Sequence, residues 1–203
     1  MFRQIINRFL RFLKLELVKK EEINFFRNIE NSSILFSELS QKSKEFISSF
    51  MPHSKSQLAQ DLFALAFSKN TKSKFFVEFG ATDGLHLSNT WLLEKKLGWE
   101  GILAEPAKIW HKSLKKNRNC FIETKCVAAK SGLIYKFLEV NESEKGSPCI
   151  SSLEKYSNNG DWASKIRLDN CKRYEVETIS LNDLLDKYNA PKEIQFLSID
   201  TEG

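Results

Sequence analysis

Between residues 75 and 105 the chain passes from a short apolar run through a glycine turn and a helix to a second apolar run, and that order leaves few folds open. Phe75-Phe76-Val77-Glu78-Phe79 has the length and aromatic content of a buried strand. Gly80 and Gly84 bracket the turn after it. Ser88 is placed to cap a helix through Trp91, Leu92, Leu93 and Leu97, and Gly98 ends that helix before the strand Ile102-Leu103-Ala104. The cycle then repeats. Pro106 opens a helical stretch through Leu114, and a strand is expected over Phe121 to Ala129. Strands that alternate with helices pair in parallel through right-handed crossovers, so the expected fold is a doubly wound α/β sheet.

The remaining segments attach to that unit. Leu133 to Val140 reads as a strand in a hairpin with the preceding run or with a neighbour. Residues 141–170, rich in Ser, Asn, Gly and Glu, read as an insertion or loop, and Tyr174 to Ile179 alternates like an exposed or edge strand. Leu181 to Tyr188 is a short helix, Pro191 a break, and Ile194 to Ile199 a final buried strand that runs into Asp200-Thr201-Glu202-Gly203. A helix over about Gln57 to Phe67 leads into the first strand.

Residues 1–52 are expected to form an N-terminal helical extension, and residues 53–203 the α/β domain. Phe2, Ile5, Ile6, Phe9, Phe12 and Leu13 recur at helical spacing, with Arg3, Arg8, Arg11 and Lys14 beside them. Two readings stand: residues 1–20 pack on the domain or fray in solvent, or they lie on an anionic membrane surface, where each cation contributes about 1 kcal/mol.

Composition narrows the function classes. The 203 residues are 41% hydrophobic, enough for one domain with a buried core. A net charge of +5 without a dense basic stripe argues against a nucleic-acid partner. Cys120, Cys126, Cys149 and Cys171 are too far apart for a metal knuckle, and reduced, mostly buried thiols are expected. No apolar stretch approaches the roughly 20 residues needed to cross a bilayer, so a cytoplasmic protein is expected, at most peripheral to the inner face of the membrane.

Three features fall at the carboxyl ends of strands, where ligands bind in open α/β sheets. The first is the turn Gly80-Ala81-Thr82-Asp83-Gly84 after Glu78, which lets a ligand approach the backbone. The second is Glu105, 21 residues past Gly84, at the distance where a carboxylate holds the two ribose hydroxyls of an adenosine moiety. Glu78 and Asp83 would repel a pyrophosphate, which disfavours a nicotinamide dinucleotide. They suit a cationic ligand. S-adenosylmethionine carries an ammonium and a sulfonium, and one opposite charge at 4 Å contributes about 4 kcal/mol before desolvation at an effective dielectric of 20. Read structurally instead, Glu78 and Asp83 cap the next helix and Glu105 is a solvated strand end.

The third feature is Asp200 with Glu202 at the end of the last strand. These acids either position and deprotonate an acceptor hydroxyl or cap a following helix. Alone they make no metal site, since a hard cation takes about six oxygens.

From Ser54 to Gly203 the sequence resembles FkbM-type methyltransferases. The likeness rests on Ser56-Gln57 with Gln60-Asp61, the stretch Phe76 to Gly84, Ser88-Asn89-Thr90, Leu93-Glu94-Lys95, Gly98-Trp99 and Gly101 to Pro106. It continues through Asn117-Arg118, Ser180-Leu181 with Asp183-Leu184-Leu185, and Leu197 to Gly203. Thr82 stands where Asn is frequent. The resemblance implies a Rossmann-like class I methyltransferase sheet and O-methylation of a small-molecule or glycan acceptor, often a sugar, with S-adenosylmethionine as cofactor. It assigns Glu78, Gly80, Ala81, Thr82, Asp83 and Gly84 to the cofactor loop, Glu105 to the ribose, and Asp200 and Glu202 to the family's acidic motif. Such a sheet has seven strands, so a C-terminally truncated chain is expected, with an exposed last strand open to self-association. The alternative from another class is a non-catalytic module that binds a membrane or a partner through its N-terminal helices.

Overall fold

A computed structural model of the chain describes residues 36–68, 73–143, 146–158 and 160–202. The helix expected over residues 1–20 lies outside them. The first described helix, α1 (Gln41–Ser48), starts at Ser40, whose hydroxyl accepts a hydrogen bond from the Ser43 amide at 3.2 Å. The next, α2 (Gln60–Phe67), begins three residues later than its apolar pattern suggests, because Ala59 takes a left-handed conformation at φ 58°. Buried Asp61 accepts from the hydroxyls of Ser54 and Ser56, both at 2.7 Å, and so ties the approach to the sheet onto α2. Burial pushes its carboxyl above the usual range.

The chain then runs through β1 (Phe75–Phe79), α3 (Trp91–Leu97), β2 (Glu100–Ala104), α4 (His111–Asn117), β3 (Phe121–Glu123), β4 (Cys126–Ala128) and β5 (Ile134–Val140). It continues through β6 (Ser152–Leu153), α5 (Ser164–Asp169), β7 (Cys171–Ser180), α6 (Leu181–Lys187) and β8 (Phe196–Ile199). Four strands form a parallel sheet in the order β3-β2-β1-β8. The strand β1 is buried along its whole length. Its alternation divides two cores: Phe76 packs with Leu62, Leu92, Leu93 and Leu114 on the side of α1 to α4, while Phe75, Val77 and Phe79 pack with Ile179 and Leu184 towards α6. Each such side chain contributes about 1.5–3 kcal/mol on burial. A slip of one residue would exchange the two faces and drive Glu78 into the second core, so the register is fixed. Helices therefore cover both faces, as expected of a doubly wound sheet.

The other half departs from the expectation in three respects. The strand expected over Phe121 to Ala129 is two strands in different sheets. Buried Glu123 turns the chain between them, accepting from the amides of Thr124 at 2.9 Å and Lys125 at 3.0 Å and from Lys187 Nζ at 2.7 Å. The second sheet has the order β4-β7-β5-β6, with β5 antiparallel to β7 from Ile134 opposite Glu177 to Val140 opposite Cys171. The segment read as an exposed or edge strand is thus β7, exposed along one face but flanked on both sides, so its alternation records a solvated face rather than a free edge. The residues read as an insertion or loop, 141–170, hold β6, α5 and two short 3-10 turns, Pro148–Ile150 and Glu154–Tyr156.

The last strand also differs from a fully buried one: β8 is an edge of the parallel sheet, with Leu197 at 45% and Ile199 at 64% exposure. Only Ser198 among its residues is buried. No described helix is long and apolar enough to cross a membrane.

Candidate functional site

The strand order reverses at β1: β2 and β3 are laid down on one side of it, and the chain returns as β8 on the other. The carboxyl ends of these strands open onto a crevice at that switch point. There the structure has a cavity of about 460 Å³, within the range of small-molecule sites, lined by Gly80, Thr82, Glu105, Asp200 and Glu202 among others.

Gly80 sits where the ends of β1 and β8 touch. Its amide donates to the Ala104 carbonyl at 3.0 Å, and the Asp200 amide donates to the Phe79 carbonyl at 3.1 Å. At φ 80° a Cβ on Gly80 would lie 1.9 Å from the Asp200 carbonyl oxygen, so any side chain forces the strand ends apart. Gly80→Ala is expected to lower the unfolding free energy by about 2–3 kcal/mol, read as a lower urea midpoint at unchanged slope.

Glu105 is buried at the end of β2. One carboxylate oxygen accepts from the Thr82 amide and the other from the Ala107 amide, both at 2.8 Å. Thr82 adopts φ 47°. Burial pushes the Glu105 carboxyl up to about 7, against the two amide bonds and helped by nearby Glu139 and Glu78. Each oxygen keeps a lone pair unused by the backbone.

The turn that follows Glu105 is fixed by a second buried acid. Glu139 accepts from the Tyr174 hydroxyl at 2.7 Å and the Ile109 amide at 3.0 Å, while the Lys108 amide donates to that same hydroxyl at 3.0 Å. Burial and then the Glu139 carboxylate raise the Tyr174 phenol, which stays a donor. His111 Nε2 lies 2.9 Å from the Glu105 carbonyl oxygen.

Four residues assigned to the loop do not line the cavity: Glu78, Ala81, Asp83 and Gly84. Glu78 shares the face of Phe76, so its carboxylate turns towards α3 and α4. It accepts from the Asn89 amide at 2.9 Å and the Thr90 hydroxyl, with Arg118 at 3.8 Å. Burial raises its carboxyl, and Arg118 opposes that rise. Ala81 belongs to the core on that side. Asp83 caps its own turn, its Oδ1 accepting from the amides of Leu85 at 2.8 Å and His86 at 2.7 Å.

Arg118 binds this loop from behind. Fully buried beyond the end of α4, it donates to the Gly84 carbonyl at 3.2 Å, Ser88 Oγ at 3.1 Å and Thr90 Oγ1 at 2.8 Å, and it pairs with Glu94. Gly84, at φ 73°, has no room for a Cβ, which would lie 2.6 Å from Arg118 Cγ. Sequence reading assigned Arg118 no role. Its signals in the sequence are its place in the Asn117-Arg118 pair that carries part of the family resemblance and its being an arginine just after a helix whose basic residues are Lys112, Lys115 and Lys116 with His111.

Asp200 and Glu202 meet the cavity from the end of β8. The segment 141–170 supplies the facing wall through Pro148, Cys149 and Ser151 to Leu153, and it also supplies buried Arg167, which pairs with Glu202. Neither contribution was legible in a stretch read as an insertion or loop. Cys126 lines the cavity too; burial pushes its thiol up to about 11, so it is not a nucleophile at neutral pH.

The family model described as the methyltransferase FkbM domain matches residues 78–203, more than half of the chain. No curated protein and no solved structure matches it.

Proposed function

Because the chain belongs to the FkbM methyltransferase family, we propose that it uses S-adenosylmethionine to methylate a hydroxyl of a small-molecule or glycan acceptor, with a sugar as the first class to test. The observation that carries this reading is the buried Glu105 carboxylate, held by two backbone amides with one lone pair per oxygen left over, in a cavity at the switch point of a parallel sheet. That arrangement suits the paired hydroxyls of a ribose.

S-adenosylmethionine would supply an electrophilic methyl group on a sulfonium. The chain's own residues do the rest. Glu105 accepts from the ribose hydroxyls, the Gly80 and Thr82 backbone forms the floor beside it, and Val127 and Ala128 offer an apolar wall for the purine. Glu78, Ala81, Asp83 and Gly84 act by shaping the loop rather than by contact. Asp200 and Glu202 stand at the acceptor end, where orientation of the hydroxyl is the main source of rate.

Calorimetry with S-adenosylhomocysteine tests the reading: saturable binding at one site per chain is expected, and a titration with no heat and no thermal shift would sink it. Binding should also depend on pH in a defined direction. The ligand needs the ionised Glu105 carboxylate, and the free protein holds the proton there up to about pH 7. Affinity should therefore be flat above that pH and fall by about tenfold per unit below it. At pH 6 the titration should release a proton to the buffer, so the observed enthalpy should vary with the buffer's ionisation heat. The same raised carboxyl makes its contribution to stability largest below the ordinary value of 4.5 and loses it as pH rises through about 7.

A further inference from the structure

Arg167 has no exposed surface, and it stands where three separate segments meet. Its Nε donates to the Ile150 carbonyl at 2.7 Å, at the end of the Pro148–Ile150 turn that walls the cavity. One Nη donates to both carboxylate oxygens of Asp161, at 3.0 and 2.9 Å, and the other pairs with Glu202. Burying a guanidinium costs several kcal/mol unless its donors are matched, and an apolar side chain would fill a purely structural position at lower cost. The charge is satisfied here only when the turn, the Asp161 loop and the acidic motif come together. The two acids of that motif differ accordingly: Glu202 is clamped, whereas the Asp200 side chain engages no partner among the described residues.

We propose that Arg167 is a positioning residue for methyl transfer: by clamping Glu202 it fixes the end of β8 so that the Asp200 carboxylate faces the reacting groups. This rests on the S-adenosylmethionine reading above. Asp200 then takes the acceptor hydroxyl's proton as the hydroxyl oxygen forms its bond to the methyl carbon and the methyl–sulfur bond breaks with its electron pair left on sulfur. Glu202 is the strut, and Asp200 is the group in contact with substrate.

The test needs no acceptor. Sinefungin carries a protonated amine where the cofactor carries its transferable methyl, so a carboxylate held at that position favours it over S-adenosylhomocysteine. The wild-type chain is expected to bind sinefungin about tenfold more tightly than S-adenosylhomocysteine, and Asp200→Asn should abolish the preference. Arg167→Met should cut the ratio to about threefold or less with S-adenosylhomocysteine affinity within about twofold, and Arg167→Lys should fall between. Glu202→Gln should match Arg167→Met, and the double variant should be no worse than either single one. The Glu202 side chain is 39% exposed, so its variant carries the test if Arg167→Met fails to fold. Equal losses for both ligands, or a ratio that Glu202→Gln leaves unchanged, would make Arg167 a structural residue only and overturn the proposal, as would a wild-type chain without the preference. A wild-type chain that binds neither ligand overturns the methyltransferase reading itself, and this proposal with it.

Discussion

Replacing Arg118 with methionine is expected to lower the unfolding free energy by about 3–5 kcal/mol, the cost of leaving a buried charge without its partner. The Glu78 carboxylate would remain buried, facing a thioether in place of the guanidinium at 3.8 Å, and Glu94 would lose the same partner. A domain of this kind is stable by about 5–15 kcal/mol in all, so the loss is a large share. Two further observations should accompany it. The deficit should shrink on acidification, because burial already raises the Glu78 carboxyl and protonation removes the stranded charge. Glu78→Gln should rescue part of the loss, giving a double variant more stable than the sum of the single ones. Urea denaturation at pH 7.5 and pH 5 reads both effects; a pH-independent deficit would mean that Arg118 acts by packing on Phe76, whose ring lies 5.6 Å from the guanidinium carbon, and not by charge.

Glu105→Ala is expected to weaken S-adenosylhomocysteine binding by about a hundredfold or more, since two hydrogen bonds to a charged acceptor contribute roughly 1.5–3 kcal/mol each. Glu105→Gln keeps the shape and removes the charge. It should bind more weakly than wild type by about a hundredfold above pH 7 and lose the pH dependence below 7, because the titrating group is gone. The alanine variant leaves the amides of Thr82 and Ala107 without their acceptor, so its thermal midpoint should be measured beside its affinity. A folded Glu105→Ala chain with wild-type affinity and wild-type pH dependence would remove the ribose assignment.

Much of this was open to inspection in one dimension. The apolar run Phe75 to Phe79, the turn at Gly80 and the second strand ending at Glu105 all form as their local signals require, because strand length, turn chemistry and helix caps are short-range properties. The place of Glu78 was legible as well, one step further on. Alternation puts it on the face of Phe76, turned towards α3 and α4, while the acid's proximity to the glycine turn suggests a ligand contact. Position along a strand and the face of the strand are separate facts, and only the second decides what a side chain meets.

The segment 141–170 misled for a different reason. Its polar, glycine-containing texture is that of a loop, and it is one in part, yet it provides a wall of the cavity and the arginine that clamps Glu202. Arg167 and Glu202 lie 35 residues apart and Arg118 reaches Gly84 across 34, with no local periodicity linking either pair. The break at Glu123 is of the same kind, since its lysine partner is 64 residues away on α6.

By itself, then, the sequence determined the strand and helix alternation, the glycine turn, the two acids that end β2 and β8, and through them the family. Tertiary structure alone decided which acids face the cavity and which are held by arginine. The division is physical: backbone propensity and side-chain period act over a few residues, whereas a buried charge must find its counter-charge wherever the fold brings one within reach.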